Sequence, residues 1–212
     1  MRLKKIIATV AASGIAVGAV ALSAPAQADD HKAMSLAEVL NVGNAELDHQ
    51  HSDFDILAKA AETVLAAKPE SPVALLADED TKLTVFAPTD RAFMKLASAL
   101  AGKKIDKEDA AFDTVAGLGV DTVETVLLYH VIPGEKITAK DALKADGAVL
   151  QTALEGKNTK VKVSMKPTIK LRDYAPEIKN PKVILDMTDI NKKKGNMQIA
   201  HAIDGVMLPF AP

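Results

Sequence analysis

An α+β fold, helices first and sheet second, is predicted from three features of this 212-residue chain. Between Phe54 and His130, apolar residues recur at every third or fourth position, as on the buried faces of helices. Beyond Gly147 the period falls to two, the pattern of half-buried strands, and the connections are too short for crossover helices. Between these regimes, the run from Leu83 to Phe93 passes from β-favouring residues through a proline corner into a helical stripe.

The elements follow in chain order. Residues 29–44 are small and polar, and Leu36, Val39 and Leu40 behind Ser35 suffice for one short helix. They are expected to form an N-terminal extension that packs loosely. Phe54, Leu57, Ala61, Val64 and Leu65 mark an amphipathic helix over residues 53–68, ended by Pro69. Ser71 caps a second, short helix with Pro72 in its first turn.

At the corner, Val85 and Phe86 suit a buried strand, and Pro88 bars that strand from continuing. Thr89 or Asp90 is expected to accept hydrogen bonds from the helix that begins near Arg91, whose stripe is Phe93, Leu96 and Leu100. Residues 110–118 form a helix around Phe112 and Val115. Asp121 and Glu124 are spaced as a capping box before the stripe Val123, Val126, Leu127 and His130. A short helix is expected over residues 141–145.

Strands follow at 149–150, 160–165, 169–171, 183–185 and 197–204, paired as antiparallel hairpins, with residues 191–196 as a turn. The Asp204-Gly205 turn and the apolar Val206, Met207 and Leu208 before Pro209 tie the C-terminus into the sheet.

The first 28 residues combine Arg2, Lys4 and Lys5, an apolar run from Ile6 to Leu22 and a small-residue site at Ala26-Gln27-Ala28, the pattern of a signal peptide. Cleavage after Ala28 leaves 184 residues, with no further run of the ~20 apolar residues needed to span a bilayer. Without the three leader cations, 23 of the 26 basic residues face 28 acidic ones, a net charge of −5, which argues against nucleic acid as a partner. There is no cysteine, so the exported chain relies on its core rather than on disulfides. A leader without cysteines points to a bacterial periplasm or exterior.

Candidate chemistry is sparse. His130 follows Tyr129 at a helix end, where a buried imidazole needs partners for its ring nitrogens. No G-x-S-x-G is present and the serines lie in ordinary contexts, so an enzyme is disfavoured and no cofactor is implied. His49 and His51, flanked by Asp48 and Asp53, are the weak candidates for a surface metal site, with His31 as a third ligand. This segment carries the alternative reading, a periplasmic small-ligand or metal-binding protein. Lys192, Lys193 and Lys194 form a basic tip that reads as solubilising.

Three ordered motifs resemble the fasciclin domain family. Residues 84–93 match the signature T-V-F-A-P-T-[ND]-x-A-F at every defined position, through Thr84, Phe86, Pro88, Thr89, Asp90 and Phe93. The central Tyr-His pair is Tyr129 and His130. A second signature, close to I-H-x-I-D-x-V-L-L-P, runs from Ile199 through His201 and Asp204 to Pro209.

The resemblance covers residues 45–211. It implies a wedge-like bent antiparallel β-sandwich with helices along one side. It also implies a non-catalytic, monomeric module of cell adhesion, binding proteins or glycans of the cell surface or extracellular matrix. In some members an Asp-Ile pair ahead of the second signature and the Tyr-His neighbourhood are linked to integrin binding. The matching residues are Asp189, Ile190, Tyr129 and His130, with Thr188 where proline is common. Segments 102–120 and 167–181 are longer than is typical of the family.

The polar signature residues Thr84, Asp90, His130 and His201 are expected to form buried hydrogen bonds that pin helices to sheet.

Overall fold

A computed structural model describes residues 33–164 and 168–211; the leader over residues 1–28 lies outside the described residues. Among the described residues, six α-helices, two 3-10 turns and six strands occur, the helices and strands following one another as α1 (Leu36–Val39), α2 (Asp55–Ala67), β1 (Leu83–Pro88), α3 (Asp90–Ala101), α4 (Glu108–Ala116), α5 (Val120–Tyr129), β2 (Val131–Pro133), α6 (Ala139–Ala142), β3 (Val149–Gln151), β4 (Asn158–Val163), β5 (Ile169–Arg172) and β6 (Gln198–Ile203). The 3-10 turns span Pro72–Ala77 and Leu185–Met187.

Two three-stranded sheets result, in the orders β2-β1-β6 and β3-β4-β5. The second sheet is antiparallel throughout, as the hairpin connections require. The first departs from the expected hairpins. β1 pairs antiparallel with β2 but parallel with β6, in a register running from Leu83 opposite Gln198 to Pro88 opposite Ile203. More than a hundred residues separate those strands, so no short connection constrains their direction.

Every residue of β1 and β6 is buried because both faces of the first sheet are covered. Leu83, Val85 and Ala87 point into a core shared with the helices, whereas Phe86 joins Ile132, Val161, Ile169, Leu171 and Ile203 in a second core between the sheets. Burial on both faces yields the near-continuous apolar runs in these strands.

Several local expectations are corrected. The helix over residues 120–129 begins after Gly119, which sits at φ 88°, and Asp121 lies within its first turn rather than capping it. Glu124 instead accepts a hydrogen bond from Lys68 Nζ at 2.6 Å. Residues 183–185 make one antiparallel bridge, Val183 to Ile203, and then coil into the second 3-10 turn.

Over its described residues, 33–44, the N-terminal segment does not pack loosely. Leu36 and Leu40 are buried in the helical core, Leu36 N–H donates to Gln198 Oε1 at 2.5 Å, and Met34 N–H donates to Asn196 Oδ1 at 3.1 Å. The helix over residues 108–116, in the first long segment, contributes Ala111 and Val115 to the same core.

Candidate functional site

The proline corner organises the helical layer through an exchange of caps. Thr89 is the N-cap of α3 but makes no side-chain cap bond. The Asp90 carboxylate does not serve its own helix. It accepts from Ile56 N–H at 2.8 Å and Asp55 N–H at 3.3 Å, the free donors at the start of α2. In return, the carbonyls of Asp53 and His51 accept from Asp90 N–H at 3.1 Å and Arg91 N–H at 2.9 Å, two free donors of α3. Each helix start is satisfied by the segment leading into the other, which locks α2 and α3 at a fixed angle.

Glu108, fully buried at the first turn of α4, completes this hub. Its Oε2 accepts from His49 N–H at 2.9 Å and its Oε1 lies 2.8 Å from His51 Nδ1. No sequence signal marked this acid, which sits in a charged stretch that reads as solvated.

Asp53 Oδ1 is buried without an N–H or hydroxyl partner. Burial first, and a side-chain hydrogen bond with Asp53 second, push the Asp90 carboxyl up to about 8. Desolvation, followed by repulsion from Asp53, raises Asp55 to about 6.

Asp53, Asp90 and Glu108 each offer an oxygen within 4.8 Å of the others, as do Asp48, Asp53 and Asp55. Such oxygen-only groups suit a hard cation rather than zinc or copper. Among the described residues, neither group includes His49 or His51. His49 is exposed, His51 Nδ1 lies against Glu108 Oε1, and His31, the third ligand expected from the sequence, lies outside the described residues.

Tyr129 and His130 lie in the core. Tyr129 is fully buried, its hydroxyl donates to the Asn158 carbonyl at 2.9 Å, and desolvation raises its pKa. His130 Nδ1 lies 2.7 Å from the Val126 carbonyl, while Nε2 accepts from Met207 N–H at 2.9 Å. Only the neutral tautomer protonated at Nδ1 satisfies both contacts. Desolvation lowers its pKa to about 4, the hydrogen bond from Nδ1 to the Val126 carbonyl offsetting only part of that.

His201 is arranged likewise: Nδ1 accepts from Asp189 N–H at 3.2 Å, Nε2 donates to the Ile137 carbonyl at 2.8 Å, and burial lowers its pKa. Thr84 Oγ1 donates to the Glu135 carbonyl and accepts from Ile137 N–H. Asp204 Oδ1 accepts from Lys182 N–H at 2.7 Å, fastening the turn before the buried Pro209.

Asp189 and Ile190 occupy the other side of the first sheet. Ile190 exchanges two 3.0 Å backbone hydrogen bonds with Ala200 of β6. Asp189, at φ 56°, accepts from Ala139 N–H at 2.8 Å and from Lys192 Nζ at 2.5 Å. Desolvation raises this carboxyl, but the bonds from Lys192 and Ala139 together outweigh it and hold the pKa below the usual range.

Tyr129 and His130 lead into β2, whereas Ile190 flanks β6, so β1 and β6 stand between the two pairs. They do not form one site. The exposed surface beside Asp189 comes instead from Leu185 and Asp186, which no motif marked.

A comparison with curated proteins returns no match. Among solved structures, the chain is similar to the FAS1 domain pair of the insect cell adhesion molecule Fasciclin I, with a TM-score of 0.50 and 18% identity. The match covers 79% of this chain and 50% of that one, so the chain spans about half the length of the domain pair. No helix among the described residues is long and apolar enough to cross a membrane. The model of the Fasciclin domain matches residues 53–209, from the segment that caps α3 to the last proline of the second signature, and on that match the chain belongs to the fasciclin domain family.

Proposed function

We propose that this chain is an exported, non-catalytic adhesion module of the bacterial periplasm or exterior, binding a protein or glycan of the cell surface or matrix through exposed loops. The observation that carries the reading is the fasciclin domain match over residues 53–209, a family of adhesion modules. Two features of the geometry support it. Both nitrogens of His130 and of His201 are engaged with the backbone, which leaves neither imidazole free as a general base. The segment Leu185–Met187 presents an exposed leucine and an exposed acid on a turn that Asp189 and Ile190 anchor to the sheet.

In this reading Asp189 and Ile190 hold the contact surface, and Tyr129 and His130 support the opposite side of the same sheet from within. Co-sedimentation of residues 29–212 with isolated cell envelopes, over a salt series with and without chelator, tests it. Saturable binding that survives chelator and is lost in Leu185→Asp is the expected result. Absence of binding at every salt concentration refutes the adhesion reading. Binding abolished by chelator moves the function to the carboxylate cluster around Asp53.

A further inference from the structure

A second feature, independent of the adhesion reading, lies at the far end of the helical layer. A cavity of about 230 Å³ opens between α2, α3, α4, α5 and the C-terminal segment. Phe93, Leu96 and Leu100 of α3, Val126 and Leu127 of α5, and Leu208 form most of its wall. Thr122 supplies the one side-chain hydroxyl in a lining that is otherwise hydrocarbon.

Close-packed interiors leave few voids larger than a water molecule, and this one is many times that size. It also exceeds the ~150 Å³ at which an apolar cavity stays dry and admits benzene. Water gains nothing there, because it needs two to four polar partners and the wall offers a single hydroxyl.

The mouth points the same way. Among the described residues five large apolar side chains are exposed, and two of them, Leu118 at 40% and Phe210 at 38%, line this cavity. Leu118 closes the end of α4 and Phe210 comes from the C-terminal segment, so two distant parts of the chain bring apolar surface to one opening. Exposed apolar residues gathered around a concave site mark binding rather than chance.

We propose that this cavity is a binding site for one hydrocarbon chain, the acyl tail of a fatty acid or lipid, with the polar head left in water at the mouth. Among the described residues the wall carries no cation to pair with a carboxylate or phosphate, so the hydrocarbon chain alone is recognised. Acids and alcohols of equal chain length should therefore bind alike. Free acyl compounds and bilayer lipids both supply such a chain.

The chain contains no tryptophan, so Phe210→Trp places a single, selectively excitable tryptophan at the mouth. This variant is titrated with decanoate and with decanol below their aggregation limits, and sedimented with phosphatidylcholine vesicles. The expected result is a saturable, one-to-one blue shift with both decyl compounds at similar midpoints. The midpoint should weaken at least tenfold when Leu118→Glu is added at the exposed rim, with the circular dichroism spectrum unchanged.

A blue shift with the decyl compounds and no sedimentation supports the proposal, with free amphiphiles as the source. A blue shift together with sedimentation that Leu118→Glu abolishes supports it with membrane lipid as the source. A folded Phe210→Trp protein that gives no saturable shift with either decyl compound overturns the proposal. So does binding of decanoate but not of decanol, which would show recognition of the charge rather than of the chain.

Discussion

Replacing His130 by alanine tests whether the Tyr-His motif is an internal fastener. The imidazole bridges two backbone groups that have no other use for each other: the Val126 carbonyl at 2.7 Å and Met207 N–H at 2.9 Å. His130 is the C-cap of α5, and its own N–H bonds Leu127 and Leu128, so the Val126 carbonyl depends on the ring. Truncation leaves a buried acceptor and a buried donor, each costing about 1–3 kcal/mol.

Water admitted to the vacated space recovers part of that, and a net loss of about 3 kcal/mol is expected. For a domain of this size the loss corresponds to a fall in Tm of roughly 6–12 °C. The pH dependence supplies a second readout. The pKa of His130 is lowered from its ordinary 6.5 to about 4, so its contribution is fully present above pH 6.5 and is lost as pH falls through 4. Between those values the unfolded chain binds the extra proton, and the acid limb from this group is worth about 3 kcal/mol.

Thermal melts of both proteins from pH 4 to 8, with hydrogen exchange at Met207, measure the two effects. The variant should melt lower at neutral pH, show a shallower acid limb and exchange Met207 N–H faster. A neutral-pH Tm within 2 °C of wild type and an unchanged acid limb would refute the bridge.

Asp90→Asn bears on the opposite limb. Because the Asp90 pKa is raised from its ordinary 3.8 to about 8 in the folded chain, its contribution is fully present below 3.8 and is lost progressively as pH rises from there through 8; above pH 6.5, where the opposing His130 contribution is complete, wild-type stability should decline up to pH 8. Asparagine keeps an acceptor for Ile56 N–H and carries no charge, so the variant's melts should stay level over that window; an equal decline in both proteins would contradict the assignment. Gln198→Ala removes the amide that accepts from Leu36 N–H and donates to the Leu75 and Asp78 carbonyls. A loss of about 2–4 kcal/mol in urea melts is expected, with earlier proteolysis near Leu36. Lys68→Ala breaks the pairs with Asp121 and Glu124, but these sit at a half-open surface, so a change of less than about 1 kcal/mol is expected from the same melts.

Local chemistry was legible wherever sequence neighbours are also structural neighbours. The strand, the proline stop and the helix of residues 83–101 follow from β-favouring residues, a fixed proline φ and an apolar stripe of helical period, and they form as read. The capping boxes show the limit of that reasoning. Ser35 and Glu38 satisfy the pattern locally and make the box, whereas Asp121 and Glu124 satisfy it equally and do not. Lys68, fifty-six residues from Glu124, takes the carboxylate that the helix start would otherwise have used. Glu108 was invisible for a related reason: acids in charged stretches are usually solvated, and only the approach of the His49 N–H and the His51 imidazole offsets the burial of this one.

The sequence by itself determined the α+β class, the positions of most helices and strands, the absence of thiol chemistry and, through three ordered motifs, the fasciclin family. The tertiary structure decided everything that depends on which surfaces meet. It set the parallel pairing of β1 with β6, the exchange of caps between α2 and α3, and the separation of Tyr129 and His130 from Asp189 and Ile190 by two strands. It also opened the apolar cavity whose lining comes from four helices and the C-terminal segment. Periodicity states that a face is apolar and a side chain's chemistry states what it can accept. Neither states the partner, because that choice is made among all the faces and donors of the chain at once, at distances in sequence that no local pattern spans.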